Sequence, residues 1–220
     1  RSPTKRTAPS SGAGAAASFM KIESLALGPD GTLYAADSAA STIRKITPDG
    51  KVTTVAGASR QAGNKDGKGL DARFREPRGI TVDSQGRIYV SDKGNHNIRA
   101  ILPNGDVVTV AGDGTAGSID NAVQYARFDE PDGIAVDRNG DIYVADRGNT
   151  SIRKISAQAV RTFAGAGLGE PGRDGVGTAA RFHHNWLGMA MAADGTAYIA
   201  DGTRIRTLAR DGTVGTWAGS

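Results

Sequence analysis

Two histidines, an asparagine and a tryptophan stand in one short run, His183-His184-Asn185-Trp186, and such side chains suit acid–base chemistry and ligand binding. An imidazole titrates near neutral pH, and an indole offers a flat apolar wall. In an extended segment His183 and His184 point to opposite faces, and His96 lies far away in the sequence. We therefore expect a ligand pocket formed by His183, His184, Asn185, Trp186 and His96, without a three-histidine zinc site.

The elements that must hold these residues belong to an internal repeat of about 54 residues, which is the period typical of propellers and solenoids. Within each period, four short β-rich runs are separated by glycine-bearing turns, which predicts a four-stranded antiparallel meander. No segment has a helical period of 11 residues or more. The repeat is marked by four triplets at intervals of 55, 53 and 54 residues, Val55-Ala56-Gly57, Val110-Ala111-Gly112, Phe163-Ala164-Gly165 and Trp217-Ala218-Gly219.

A single four-stranded sheet cannot bury both of its faces, so the copies must stack on one another. We predict an all-β β-propeller with four blades, in which the first strand of each blade lines the channel and the last lies on the rim. The tail at 1–18 has the spacing of an inter-blade connection, and we expect it to pack against a neighbouring blade. The blades with their connections are expected at 19–57, 58–112, 113–165 and 166–220.

Two charged positions recur in every copy, an aspartate that ends the second run and an arginine in the third. Because the two flank the same loop, we predict a carboxylate–guanidinium pair that braces it, with an anion-binding ring of arginines as the alternative. A residue shared by all blades serves architecture, whereas function is sought where the blades differ. The recurring residues are Asp37, Asp92, Asp146 and Asp201, and Arg44, Arg99, Arg153 and Arg206.

Each inter-blade connection also carries an aspartate: Asp66, Asp120 or Asp174. Carboxylate oxygens suit calcium, but none of these residues lies in the D-x-D-x-D-G spacing of a strong calcium site. We therefore expect each aspartate to cap its own turn and expect no cofactor, with calcium as the alternative.

Blade 4 departs from the other blades at two loops of the same propeller face. The segment before the first strand is one residue longer, since Gly188 lies six positions after Phe182 and the equivalent glycines of blades 2 and 3 lie five positions after their phenylalanines. The loop between the second and third strands is shorter, since Arg206 lies five positions after Asp201 and the equivalent separation in the second copy is seven. This divergence places the candidate pocket near the channel mouth at blade 4. The alternative is that the last blade has drifted and that Trp186 plugs the ring or a partner blade.

Three sequence patterns resemble the NHL repeat: Pro-x-Gly-Ile-x-Val-Asp, Ile-Tyr-Val-x-Asp, and Asn95-His96-Asn97-Ile98-Arg99. The resemblance covers nearly the whole chain and is most specific in the second and third copies. It implies a propeller that usually has six blades. The four visible copies therefore favour part of a larger ring, whose missing blades would be a partner, over a four-bladed ring or an oligomer.

Charge and composition limit the classes of binding partner that the sequence favours. Of the formal net charge of +4, most lies in residues 1–18, which hold Arg1, Lys5 and Arg6 and no acid, so the propeller body is near neutral. A near-neutral body disfavours nucleic acid, and no apolar run is long enough to span a membrane. The absence of cysteine is compatible with any redox compartment. We expect a periplasmic or extracellular, secreted protein.

Three functions remain open. We favour a non-catalytic binding or scaffold module whose loops meet a protein, peptide or glycan, because no serine–histidine arrangement or close carboxylate pair lies outside the repeated positions. Similarity to propeller lyases and lactone hydrolases implies the alternative of a metal- or histidine-dependent enzyme, with His183 or His184 as the base and Trp186 as the substrate wall. Binding of single-stranded RNA is the third possibility.

Overall fold

The computed structural model describes residues 9–167, 172–183 and 186–220, and for Trp186 and Leu187 it describes the backbone alone. Four antiparallel sheets follow one another along the chain, and no α-helix is found in these ranges. The predicted all-β propeller architecture with four blades is therefore confirmed. Within the same ranges, no helix has the length and apolar character needed to cross a lipid bilayer.

The four main strands of each blade are hydrogen-bonded in chain order, from the channel outward. The innermost strands are β2 (Ile22–Leu27), β7 (Pro77–Val82), β12 (Pro131–Val136) and β17 (Trp186–Met191). The second strands are β3 (Leu33–Asp37), β8 (Ile88–Asp92), β13 (Ile142–Asp146) and β18 (Ala197–Asp201). The third strands are β4 (Thr42–Ile46), β9 (Asn97–Ile101), β14 (Ser151–Ser156) and β19 (Arg204–Leu208). The fourth strands are β5 (Lys51–Ala56), β10 (Asp106–Ala111), β15 (Ala159–Ala164) and β20 (Thr213–Ala218).

Each sheet has a fifth strand that the sequence did not predict. It is two residues long, comes from the connection that precedes the blade, and pairs with the fourth strand, so the rim is formed by the connection. The N-terminal tail behaves in the same way, since Gly12 and Ala13 pair with Val52 and Lys51 of the first blade itself. The short strands are β1 (Gly12–Ala13), β6 (Gly67–Lys68), β11 (Asn121–Ala122) and β16 (Gly175–Val176).

Single turns of 3₁₀ helix complete the loops. One set joins the second strand to the third, and a residue in the left-handed region ends each of these turns, as His96 does at φ 52°. The other set follows the short rim strands. The turns are Gly14–Ala16, Ser38–Ala40, Gly69–Asp71, Lys93–Asn95, Arg147–Asn149 and Gly177–Ala179.

The blades pack face to face, and each contact uses the same two surfaces. We call the surface of a blade that meets the preceding blade its leading face, and the opposite surface its trailing face. Between blades 1 and 2, Ile43 of the trailing face shares a core with Phe74 and Ile80 of the leading face. The equivalent residues form the cores between blades 2 and 3 and between blades 3 and 4.

The innermost strands approach one another closely at the glycine of the Pro-x-Gly motif. A Cβ atom at Gly79 would lie 2.1 Å from the carbonyl oxygen of Asp132 in the next blade. Only glycine allows this separation, because the backbone of the neighbouring strand cannot move away. Strand β7 thus packs against both β2 and β12, and β12 packs against β17.

A fully buried arginine ties each connection to its blade. In blade 2, Nη1 of Arg99 donates to Oδ2 of Asp92 at 3.1 Å and to the carbonyl oxygen of Arg73 at 3.0 Å. Its Nη2 donates to the carbonyl oxygen of Lys65 at 2.9 Å and to Oδ1 of Asp66 at 2.6 Å. We call this arrangement the arginine clamp, and it joins three separate segments of the chain, 65–66, Arg73 and Asp92, through one guanidinium group.

The clamp recurs with its geometry preserved. Arg153 pairs with Asp146 at 2.7 Å and with Asp120 at 2.6 Å. Arg206 makes the same two ion pairs in blade 4. In every blade the guanidinium also lies over a phenylalanine ring, at 5.1 to 5.6 Å from the centroid, which adds a cation–π contact.

The buried carboxylates of the clamp experience strong desolvation. Burial raises the pKa of Asp92 to about 6, although the main-chain N–H of Arg75 and the side chains of Asn95 and Arg99 favour the charged form. Burial likewise raises the pKa of Asp146 to about 6. Removing one partner of such a pair would leave a buried charge without compensation, so the two must be kept together.

Blade 1 has an incomplete clamp. Ser11 stands where Asp66 stands in blade 2, and Arg44 lies 4.0 Å from Asp37. Burial lowers the pKa of Arg44, and the charge of Asp37 opposes that shift. In blade 2, Asp66 also accepts hydrogen bonds from the backbone N–H and the hydroxyl of Thr109, and Thr54 is the matching residue in blade 1.

Replacing Ser11 by aspartate is expected to complete this clamp. The Ser11→Asp variant should raise the free energy of unfolding by about 1 kcal/mol, because the new carboxylate accepts charge-assisted hydrogen bonds from Arg44 and from the N–H of Thr54. Urea denaturation would measure the change. The control is Ser11→Asn, which has the same shape without the charge, and equal stability of the two variants would contradict a role for the carboxylate.

Candidate functional site

The charged side chains at one mouth of the channel form the most distinctive cluster outside the clamps. They lie at the N-terminal ends of the innermost strands and on the loops between second and third strands. Their charges alternate across blades 1, 2 and 3. We call this group the mouth cluster, and it consists of Lys21, Glu23, Glu76, Arg78, Lys93, Glu130, Asp132 and Arg147.

Glu23 and Arg78 join blade 1 to blade 2. Oε2 of Glu23 lies 3.2 Å from Nη1 of Arg78, and its Oε1 lies 2.8 Å from Nζ of Lys21 and 3.0 Å from the hydroxyl of Ser38. Burial acts to raise the pKa of Glu23, but the hydrogen bonds from Lys21 and Ser38 and the charge of Arg78 lower it below its usual value. These residues and Glu76 line a cavity of about 300 Å³.

Lys93 and Arg147 extend the alternation toward blade 3. Nζ of Lys93 lies 3.4 Å from Glu130 and 3.7 Å from Glu76, and Nη1 of Arg147 lies 3.3 Å from Glu130. Both glutamates have positive φ, 51° at Glu76 and 49° at Glu130, a conformation that costs a residue with a side chain about 1 kcal/mol or more. Each precedes the proline that opens an inner strand, so the backbone position of these carboxylates is imposed by the fold.

Asp132 is the deepest acid of the cluster. It is 9% exposed, and its carboxylate accepts no hydrogen bond from the residues that the structure describes. Burial raises the pKa of Asp132, and the nearby positive charges of Arg78 and Arg147 oppose this shift. Asp132 is thus a partly desolvated carboxylate whose charge is balanced by the neighbouring arginines.

The predicted pocket residue His96 has a local partner. Its Nδ1 accepts a hydrogen bond from the backbone N–H of Glu130 at 3.2 Å and lies 3.5 Å from Oδ1 of Asp129. Because Nδ1 is the acceptor, the proton of the neutral ring lies on Nε2. His96 therefore links blade 2 to blade 3 at the edge of the mouth cluster.

The other predicted pocket residues lie at blade 4. The backbone N–H of His183 donates to Oδ1 of Asp201 at 2.7 Å, while its Nδ1 lies 3.3 Å from the same oxygen and has no hydrogen-bond partner. The ring lies beside Gly172 and Gly202. His184 and Asn185 are outside the described residues, and of Trp186 the described part is the backbone at the start of β17. His183 and His96 share none of these partners.

The connection aspartates are occupied by the arginine clamps. Asp120, for example, accepts from Arg153 and from the N–H of Thr162, which both lie across the blade, so the prediction that it caps its own turn is wrong. In the described part of the chain, no group of three or more acidic or histidine side chains has an arrangement that would hold a metal ion. Calcium binding stays a prediction that the structure does not test.

Sequence comparison between the blades contained a signal for the mouth cluster that our prediction did not use. Glu23, Arg78 and Asp132 occupy one repeat position, the middle residue of the Pro-x-Gly motif in blades 2 and 3. That position changes charge from blade to blade, which is the pattern we had assigned to function. The predicted pocket at blade 4 rests on differences in loop length, whereas the mouth cluster is marked by a change of residue type at constant length.

The charge coupling within the mouth cluster can be measured. Replacing Arg78 by glutamine should raise the pKa of Asp132 further and bring the lowered pKa of Glu23 back toward its usual value, because a positive charge that stabilises both carboxylates is lost. Titration of the carboxyl carbons by NMR would report both values. Arg138→Gln, which removes an exposed charge at the other mouth of the channel, is the matched control, and equal shifts in the two variants would contradict direct coupling.

Comparison with known proteins matches two segments, 74–101 and 128–155, to the NHL repeat. The chloroplastic protein SUPPRESSOR OF QUENCHING 1 of Arabidopsis thaliana is 36% identical over 148 residues, which are 63% of this chain and 14% of that protein. NHL repeat-containing protein 2 of Bos taurus is 34% identical over 142 residues, 60% of this chain and 20% of that protein. The similarity thus spans a fifth or less of each relative.

Among solved structures, virginiamycin B lyase from Staphylococcus aureus superimposes with a TM-score of 0.59 at 17% identity. The match covers 90% of this chain and 55% of the lyase, and at this identity it speaks for the fold alone. The sheet topology, the matched repeat segments and the named relatives agree with one another. This chain is a four-bladed β-propeller that contains NHL repeats at 74–101 and 128–155.

Proposed function

We propose that the chain is a binding module whose mouth cluster recognises a charged segment of a protein or peptide. The observation that supports this most directly is the buried carboxylate of Asp132, which has no hydrogen-bond donor among the described residues. A partly desolvated carboxylate without a protein donor gains from accepting a charge-assisted hydrogen bond. The ammonium group of a ligand, from a lysine or an N-terminal amine, would supply the missing donors.

The alternation of charge argues for a ligand that carries both signs. Arg78 lies between the carboxylates of Glu23 and Asp132, and Lys93 lies between those of Glu76 and Glu130. A peptide offers ammonium and carboxylate groups at such spacing, whereas a neutral glycan offers neither. A phosphate backbone would need a surface of one positive sign, and acids are as frequent as bases here.

The rigidity of the surroundings also favours binding. The inner strands that present the mouth cluster are packed on both sides in blades 2 and 3, and the clamps fix the connections that enter them. Side chains held in this way lose little freedom when a ligand binds, which favours affinity. The clamp arginines and the aspartates that end the second strands are fully buried, so they act by positioning.

Lyase or hydrolase chemistry is the second candidate, and the observation that favours it is the environment of His183. Its Nδ1 faces Asp201 and is unpartnered, and its side chain is one-third exposed. A panel of lactones assayed with the wild-type chain and with His183→Gln would discriminate the two functions. Turnover by the wild-type chain that disappears in the variant would favour an enzymatic function over a binding function.

Replacing Asp132 by asparagine should separate binding from stability. We expect peptides selected by the wild-type chain from a synthetic hexapeptide library to carry lysine or a free N-terminal amine. Asp132→Asn should weaken their binding by about tenfold or more, because the charge that would meet the amine is lost. The same variant should keep or raise the thermal midpoint, since a buried charge without hydrogen bonds has been removed.

Isothermal titration calorimetry would give the affinities, and Asp71→Asn, an exposed acid on a rim turn, is the matched control. Equal affinity of Asp132→Asn and the wild-type chain would refute recognition at the mouth cluster. A loss of binding that merely follows a loss of stability would do so as well.

A further inference from the structure

The two blades at the ends of the array each leave one packing face uncovered. Leu25 of β2 is 57% exposed, whereas Ile80, the equivalent residue of blade 2, is 4% exposed within the core between blades 1 and 2. Phe19, the stacking ring of the first clamp, is also exposed, although Phe74 is fully buried. The uncovered surface is therefore the leading face of blade 1.

Blade 4 shows the complementary exposure. Ile205 is 40% exposed and Trp217 is 62% exposed. Their equivalents in blade 3, Ile152 and Phe163, belong to the core between blades 3 and 4. Trp217 also meets Tyr198 edge to face with 5.3 Å between the ring centroids, the same contact that Phe163 makes with Tyr143 at 5.4 Å. The uncovered surface is thus the trailing face of blade 4, already arranged as the buried trailing faces are.

The trailing face of blade 4 and the leading face of blade 1 are complementary, because they are equivalent to surfaces that already pack together inside the chain. Every contact inside the chain joins a trailing face to the leading face of the next blade, and it does so three times with equivalent residues. The trailing face of blade 4 and the leading face of blade 1 are the unused halves of a fourth contact of this kind. Inner strand β2 packs against β7, and no comparable packing joins it to β17 within the described residues, so the chain does not close on itself.

We propose that the trailing face of blade 4 binds the leading face of blade 1 of a second copy of this chain. The association is head to tail, so each copy uses two different surfaces. The chemistry of the surfaces supports this occupant: Trp217 and Ile205 present a large aromatic and a branched side chain, and Leu25, Leu27 and Phe19 present the apolar side chains that such a surface meets inside the chain. Both exposed faces are rich in apolar atoms, which favours their burial.

Analytical ultracentrifugation of the 220-residue chain would measure this association. The wild-type chain should show a mass that rises with concentration above the monomer mass of 22.6 kDa. Trp217→Asp and Leu25→Asp should each reduce the association at least tenfold, because a charge would be buried at the contact. Leu70→Asp is the matched control, since Leu70 is 58% exposed but lies on a rim turn away from both faces.

Mixing the two variants tests the direction of the contact. Trp217→Asp keeps an intact leading face and Leu25→Asp keeps an intact trailing face, so one unmodified contact can form between them. An equimolar mixture should therefore give a 1:1 dimer although neither variant associates alone. Circular dichroism would verify that the variants keep the β-sheet signature of the wild-type chain.

Three outcomes would overturn the proposal. The first is a wild-type chain that stays monomeric at all concentrations, which would leave the faces to blades of another protein. The second is a mixture of Trp217→Asp and Leu25→Asp that remains monomeric while the wild-type chain associates. The third is a loss of association in Leu70→Asp as large as that in Leu25→Asp.

Discussion

The buried guanidinium of each blade is the interaction on which the rest of the structure depends. Arg99 meets two carboxylates, two carbonyl oxygens and a phenylalanine ring while having no exposure to solvent. Burying such a charge is costly, and a buried ion pair need not add net stability, but the loss of one partner leaves an uncompensated charge. The pair therefore acts mainly by dictating one arrangement of the connection, the rim strand and the second strand. That arrangement sets where the next inner strand begins and hence where the mouth cluster lies.

Much of this architecture could be predicted because the sequence contains four copies of the same repeat. The recurrence of Asp92 and Arg99 in every copy indicated a brace around the loop, and the periodic turns indicated the order of the strands. The contribution of Asp66 was less visible, because an aspartate before a glycine also caps a turn, and only the folded chain brings it 2.6 Å from the guanidinium. The two-residue rim strands were missed for a related reason, since a pairing that short has no periodicity of its own.

The candidate site was harder to predict, because its residues share a position and not a type. Glu23, Arg78 and Asp132 become a cluster only when the inner strands converge, and the approach of Gly79 to the backbone of Asp132 shows how closely they do so. The histidines were predicted as site residues because of their chemistry, yet Nδ1 of His96 accepts a hydrogen bond from a backbone N–H of the neighbouring blade. A reactive residue type is thus weaker evidence than an unusual environment, such as that of the desolvated Asp132 carboxylate beside Arg78 and Arg147.

The uncovered faces at both ends have a further consequence for how firmly each blade is held. Blades 2 and 3 are covered on both sides, whereas blades 1 and 4 are covered on one, and blade 1 also has the weakest clamp. In an array whose units contact only their neighbours, opening begins where one neighbour is absent. Amide protons of the terminal blades would then exchange with solvent sooner than those of the central pair. The mouth cluster takes most of its residues from blades 2 and 3, where the scaffold is least prone to fray.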